Sequence, residues 1–253
     1  MRILLIGDVV GKPGRRAVKA LLPGLRREYN MDLVVANGEN LAAGFGLTRD
    51  TMEEMLDAGV DVVTAGNHVW DNKEIIPHMN EEIPLIRPLN FPPGTPGRGT
   101  IGAKGALIVN LMGRVFMGTL DDPFRAMEEV LAETRAKIIL VDFHGEATSE
   151  KNALGWYLDG RVSALVGTHT HVATADARIL PKGTAMCTDA GMTGPINSII
   201  GSEPEDVLAR FTTQMPRRLR IAEGPVQFNS VLVDVDDTTG MAREIFRIDR
   251  NME

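Results

Sequence analysis

The chain has 253 residues, 43 % hydrophobic and 24 % charged, the composition of an ordinary soluble protein with room for one large domain or two small ones. A net charge of −7 argues against a broad nucleic-acid or anionic-membrane footprint, although the local charge of a metal still admits a small phosphorylated ligand. The lone cysteine, Cys187, excludes an internal disulfide, the run Ile3 to Ile6 is too short for a secretion signal, and no stretch approaches the ~20 apolar residues of a membrane span, so the expected location is cytoplasmic.

Ile3 to Ile6 reads as a strand buried on both faces, ending at Gly7-Asp8. A turn with Gly11, Pro13 and Gly14 leads to a helix expected over Arg15 to Arg27, which Pro23-Gly24 weakens or ends. Leu33 to Ala36 is a second strand, ending in Asn37-Gly38-Glu39-Asn40, and Thr48 caps a helix to about Ala58. Val60 to Ala65 is a third strand, ending in Gly66-Asn67-His68. Three such units in a row predict an α/β core with parallel strands.

Pro84, Pro88, Pro92, Pro93 and Pro96 then break the rhythm, and Ala106 to Leu111 with Val115 to Gly118 read as a hairpin around Met112-Gly113-Arg114. Asp122-Pro123 opens a helix to about Arg135. Ile138 to Phe143 is a strand ending in His144, followed by a helix over about Ser149 to Leu158. The run Ser163 to Val166 delivers Gly167-Thr168-His169-Thr170-His171. Ala185 to Thr188 is a short strand ending at Asp189, and Val226 to Val235 with Ala242 to Ile248 form a final hairpin around Asp236-Asp237. No repeat, low-complexity tract or linker divides the chain, so the expectation is a single domain over residues 1–253 with two sheets and helices outside.

Ligands of an open α/β sheet bind beyond the carboxyl ends of its strands. Here strand-like runs end in Asp8, Glu39-Asn40, Asn67-His68, His144, and His169 with His171. Parallel strands would bring all of these to one edge, including four of the five histidines; His78 has no such context and is expected at the surface. In extended backbone His169 and His171 leave on the same side and face one pocket. Each residue also has a plain structural use: Asp8 and Asn67 as caps, Glu39-Asn40 as an Asx-type turn, His68 as a packed histidine. The joint placement favours ligands, and a buried strand would waste a costly polar group on a structural His144.

His144, His169, His171, Asp8, Glu39, Asn40 and Asn67 exceed what one metal uses. They suit two ions ~3.5–4 Å apart, bridged by the two oxygens of Glu39. Nitrogen and oxygen donors without a thiolate favour Fe, Mn or Zn. Thr148, Ser149, Glu150 and Lys151 either orient ligands or start a helix, and Asp189 and Thr193 stand open between a site role and a structural one. Arg217, Arg218 and Arg220 read as a solvated face rather than a phosphate grip. Gly7 to Pro13 lacks the spacing and the Ser or Thr of a P-loop, and Gly44-Phe45-Gly46 lacks the third glycine of a dinucleotide fingerprint. Apolar positions in the proline-rich middle and the final hairpin leave a homo-oligomer open.

Gly7-Asp8, Gly66-Asn67-His68, His144 and Gly167 to His171 resemble, in that order, the motifs of the calcineurin-like metallophosphoesterases. Gly7 to Gly14, Asn37 to Asn40, Gly66 to Asp71, His144 to Lys151 and Asp189 to Gly194 are more closely similar to the YmdB-type bacterial phosphodiesterases, along nearly the whole chain. The resemblance implies a four-layer α-β-β-α sandwich, two central sheets flanked by helices, with a dinuclear iron or manganese site that zinc would also fit. It implies that Asp8, Asn40 and His171 hold one ion and Asn67, His144 and His169 the other, with Glu39 bridging and His68 as general acid. Val10 replaces a histidine of the wider superfamily and Glu39 its bridging aspartate, both normal for the closer subgroup, with Asn40 making up the lost ligand.

The activity so implied is hydrolysis of small phosphodiesters, 2′,3′-cyclic nucleotides such as 2′,3′-cAMP to 3′-nucleotides, through attack by a metal-bridged hydroxide. Neither a membrane nor an extended nucleic acid is expected as partner, since long RNA needs basic surface. The rivals are a phosphomonoesterase or RNA nuclease on the same site, or a regulatory protein that binds metal or nucleotide without turnover.

Overall fold

The computed structural model describes all of residues 1–253. The first half runs β1 (Arg2–Ile6), β2 (Asp8–Val9), α1 (Gly11–Glu28), β3 (Leu33–Asn37), α2 (Arg49–Asp57), β4 (Val62–Thr64), a 3-10 turn (Lys73–His78), β5 (Thr100–Ala103) and β6 (Ala106–Met112). Next come α3 (Pro123–Glu133), β7 (Ile138–His144), α4 (Thr148–Tyr157), β8 (Ala164–Thr168), β9 (Arg178–Ile179) and β10 (Ala185–Cys187). The chain closes with β11 (Met192–Pro195), α5 (Pro204–Thr213), β12 (Val226–Phe228), β13 (Ser230–Val235), β14 (Ala242–Arg247) and β15 (Arg250–Met252).

These make a mixed α/β fold with three sheets, ordered β14-β13-β1-β3-β4, β5-β6-β7-β8-β10-β9 and β15-β12-β11-β2. The middle strands of the two larger sheets are parallel: β1 with β3 and β3 with β4, then β6 with β7, β7 with β8 and β8 with β10. The uninterrupted apolar runs explain the layering, because alternate residues leave opposite faces. Ile3, Leu5, Leu33 and Val35 pack with Ile108, Leu140 and Val166 in a core shared by the two larger sheets. Leu4, Ile6, Val34 and Ala36 turn the other way, onto Val18 and Leu22 of α1 and Met52 and Met55 of α2. On the far side Val109, Val141 and Phe143 meet Met127 of α3 and Leu154 of α4. No helix is long and apolar enough to cross a membrane.

Three expectations need correction. First, α1 starts at Gly11 and runs through Pro23. Pro23 is exposed and forfeits one backbone bond, at about 3 kcal/mol, while Val18, Leu22 and Leu25 stay buried on either side of it and hold the helix together. Second, β6 pairs not with residues 115–118 but with β5, across Lys104 (φ 51°) and Gly105 (φ 90°). Positive φ at both central residues is the tight hairpin geometry that suits strand twist. The Val115 to Gly118 segment is a turn instead, because the Glu150 carboxylate accepts from the Arg114 and Val115 amides. Third, there are three sheets rather than two. The chain leaves β1 at Gly7, whose amide bonds Asn229 O, and β2, β11, β12 and β15 form the small sheet. The expected last hairpin is accordingly only β13 with β14.

Candidate metal centre

Both large sheets deliver side chains to one place. Asp8 follows β1, Glu39 and Asn40 follow β3, and Asn67 and His68 follow β4; His144 ends β7, and His169 and His171 follow β8. Parallel pairing sets the carboxyl ends of β3 and β4 side by side in one sheet and those of β7 and β8 in the other. Glu39, Asn40, His68, His169 and His171 line a single cavity of about 590 Å³, with Glu146 at its mouth. His78 lies apart, bonded to Glu81 at 2.8 Å.

His144 is the buried hub. Its Nε2 lies 3.0 Å from Asn67 Oδ1, 3.2 Å from Glu39 Oε1 and 3.0 Å from His169 Nδ1. Its Nδ1 sits 2.9 Å from Thr168 Oγ1, which in turn donates to Asp142 Oδ1 at 2.8 Å. In the neutral ring, with its own proton given to Asp142, Thr168 accepts from Nδ1 and Nε2 is the lone-pair nitrogen facing the cluster. Thr64 donates to the other Asp142 oxygen. Donor atoms of Glu39, His144 and His169 lie within 4.8 Å of one another, the spacing of a metal-binding group. Gly66 makes the fit possible, since a Cβ there would collide with both the Glu39 carboxylate and the His144 ring.

A second group of donors sits alongside. Asp8 is fully buried; Oδ2 accepts from the His169 amide at 3.1 Å, while Oδ1 lies 3.8 Å from His171 Nε2 and has no hydrogen-bond partner. His171 is turned by a 2.8 Å contact between Nδ1 and the Ile200 carbonyl, which leaves Nε2 as the acceptor nitrogen. Asn40 donates Nδ2 to Gly44 O, and its buried Oδ1 also lacks a partner.

The electrostatics follow from burial. Burial raises the Asp8 carboxyl above its ordinary range despite His171 and His144 nearby. Burial would raise Glu39 too, but the adjoining His144 imidazole holds it down to about 2. His144 itself, which burial alone would lower, is pushed up to about 9 by Glu39 and Asp8. Burial and the neighbouring His144 drive His169 down to about 3. Two buried carboxylates thus create a strong local demand for positive charge.

The geometry of the histidine pair differs from the expected extended run. Strand β8 stops at Thr168, and His169 (φ 104°) and His171 (φ 65°) adopt positive φ, unusual for residues with a Cβ. Asp189 holds this turn, accepting from Thr170 N at 3.1 Å and Thr170 Oγ1 at 2.8 Å. Its charge is balanced by the buried Lys151, whose Nζ lies 2.8 Å from Asp189 and 2.8 Å from the Thr168 carbonyl. Lys151 and Asp189 therefore support the turn, whereas Thr148 and Ser149 start α4, and Thr193 exchanges bonds with the Asn229 backbone. Sequence reasoning passed over Asp71, 2.7 Å from His68 Nδ1, and Glu146, 3.1 Å from His169 Nε2; their only sequence signal was a place inside the two motif runs.

A model of the YmdB-like protein family matches residues 4–248. The chain belongs to that family. This YmdB-like chain is 51 % identical over 254 residues to the 2′,3′-cyclic-nucleotide 2′-phosphodiesterase, a hydrolase, of Bacillus subtilis (strain 168), covering 98 % of this chain and 96 % of that one. It is similar to the crystal structure of a hypothetical protein from Thermus thermophilus, with 50 % identity, a TM-score of 0.95 and full coverage of both chains. It also matches the crystal structure of a phosphatase from Mycoplasma pneumoniae at 35 % identity and a TM-score of 0.94, covering 99 % of this chain and 93 % of that one.

Proposed function

We propose that this YmdB-like protein is a cytoplasmic, dinuclear-metal phosphodiesterase that opens 2′,3′-cyclic nucleotides to 3′-nucleotides. The observation that carries the reading is the pair of orphaned oxygens, Asp8 Oδ1 and Asn40 Oδ1, buried beside Glu39, His169 and His171. A buried polar atom without a partner costs about 1–3 kcal/mol, and a bound cation removes that cost. The donor set suits two ions: Asp8, Asn40 and His171 would hold one, Asn67, His144 and His169 would hold the other, and Glu39 would serve both. When bound, iron, manganese or zinc supplies a nucleophilic water at neutral pH and offsets charge on the phosphoryl oxygens.

The chain's own residues do the rest. His68 lines the cavity with Nδ1 tied to Asp71, which leaves Nε2 to hand a proton to the departing 2′-oxygen. The Glu39 carboxylate accepts from the His68 amide at 3.0 Å and so fixes the acid relative to the ligands. Water adds to phosphorus, the bond to O2′ breaks, and the 3′-phosphate remains. The three core clusters support a single domain over residues 1–253 built as a four-layer α-β-β-α sandwich, with the small third sheet closing one end.

The test is elemental analysis of protein purified without chelator, with the same batch assayed on 2′,3′-cAMP and the product identified. About two transition-metal ions per chain and formation of 3′-AMP are expected. One ion or none, with no turnover after adding Mn or Fe, would sink the proposal; turnover of 3′-AMP in preference to 2′,3′-cAMP would move it to a phosphomonoesterase.

A further inference from the structure

Beside the metal-site cavity lies a larger cleft of about 1220 Å³, and Phe45, Arg210, Leu219 and Ile221 line both. That volume exceeds the ~300–1,000 Å³ usual for a small-molecule site. The cleft carries six cations, Lys12, Arg16, Arg210, Arg217, Arg218 and Arg220, against the two carboxylates Glu223 and Glu253, in a chain whose net charge is −7. Arg217 and Arg220 are already engaged, with Nε atoms 2.8 and 2.7 Å from the buried Asp206. That clamp fixes the 217–220 segment against α5 and leaves Arg218 without an acidic partner. Lys12, Arg16 and Arg210 are likewise exposed and form no ion pair. Four cations without an ion-pair partner therefore face one cleft that adjoins the metal-site cavity.

Phe45 stands on the boundary between the two spaces, 40 % exposed, with its ring 5.1 Å from that of His68. An exposed aromatic beside an acid–base histidine is a surface on which a nucleobase can stack.

We propose that the cleft holds the sugar–phosphate backbone of a short RNA whose 3′ end presents the 2′,3′-cyclic phosphate to the metal site, with Phe45 under the terminal base. This rests on the reading of that site as a 2′,3′-cyclic-phosphate hydrolase. A mononucleotide occupies the smaller cavity and leaves Lys12, Arg16 and Arg218, which line only the larger cleft, facing solvent; each further nucleotide adds one phosphate for them to meet. The acidic remainder of the surface limits the bound strand to a few nucleotides. The bond changes are those of the mononucleotide reaction: water adds to phosphorus, the P–O2′ bond breaks, and the 2′-oxygen takes its proton from His68. RNA cleavage by attack of a 2′-hydroxyl on its own phosphodiester leaves such ends, so a reaction of that class would supply the substrate.

The experiment compares metal-loaded wild type with the triple variant Lys12→Glu, Arg16→Glu, Arg218→Glu, on 2′,3′-cAMP and on tetra-adenylate ending in a 2′,3′-cyclic phosphate. Wild type should favour the tetranucleotide in kcat/KM by about tenfold or more, and binding of fluorescein-labelled tetra-adenylate 3′-phosphate should fall with salt at a log–log slope of roughly −2, from about −0.7 per phosphate neutralised. The triple variant should lose that preference and most of the slope while hydrolysing 2′,3′-cAMP like wild type. Equal kcat/KM for both substrates in wild type, or a parallel loss on both in the variant, would overturn the proposal. So would octaglutamate displacing the labelled strand as well as unlabelled tetra-adenylate does. Failure of wild type to turn over 2′,3′-cAMP at all would instead strike the function on which the proposal rests.

Discussion

His68 and Asp71 form a pair three residues apart, joined at 2.7 Å at the edge of the cavity. If His68 delivers the proton to the leaving oxygen, His68→Gln lowers kcat by ~10²–10⁴-fold while elemental analysis finds the same metal content as wild type. Full activity in a metal-replete His68→Gln would remove the residue from the mechanism. Gly66 offers the complementary test. In Gly66→Ala the added methyl meets the Glu39 carboxylate and the His144 ring, so the variant should keep its circular dichroism and lose metal. Retention of the wild-type metal load would mean that the donors lie further apart when ions are bound.

At the scale of elements, the turn after β8 is held by α4 and by the segment after β10. Lys151 on α4 and Asp189 after Cys187 are both buried and 2.8 Å apart, with Thr170 bonded to the same carboxylate. Removing one partner of a buried pair leaves an uncompensated charge, at about 3–5 kcal/mol. Lys151→Met should lower the unfolding free energy by about that much in a denaturant titration and release metal, because His169 and His171 lose the support that keeps their positive φ. A stability loss with the metal content unchanged would make Lys151 a packing residue alone.

Across the whole molecule, the proposed ligands come from all three sheets: Glu39, Asn40 and Asn67 follow strands of one large sheet, His144, His169 and His171 come from strands of the other, and Asp8 opens β2 of the small sheet. Ions bound by that proposed set would tie the sheets together in the folded state only. At a free metal concentration 100 times Kd this contributes about 2.7 kcal/mol, which for a chain of this size raises Tm by roughly 5–10 °C. Stripping with a chelator should therefore lower Tm by that amount, and re-adding Mn or Fe should restore it, as read by calorimetry. Identical melting with and without chelator would show that no ion spans the sheets.

The parallel core, the first four helices and the positions of the metal-type residues were legible because each rests on local information, whereas α5 (Pro204–Thr213) was not read. Ile3 to Ile6 and Ile138 to Val141 are long enough to show unbroken apolar character, and Thr48 and Asp122 cap their helices as their residue types require. The short strands β2, β9 and β11 carry too little pattern to be read and exist only through their partners. The β6 partner was likewise decided by a positive-φ turn at Lys104-Gly105 and by the reach of Glu150 from α4. His169 and His171 come to one cavity as the sequence implied, yet by a turn held from Asp189 rather than by strand alternation. The partner of a buried charge lies far away in sequence, 38 residues for Lys151 and Asp189, so only the tertiary structure could pair them. The same holds for Arg218: one of three basic residues close together in sequence, it faces a cleft because its two neighbours are taken by Asp206. The sequence by itself determined which chemistry the strand ends carry; burial and long-range pairing decided which groups are held, which are left unpartnered, and where they point.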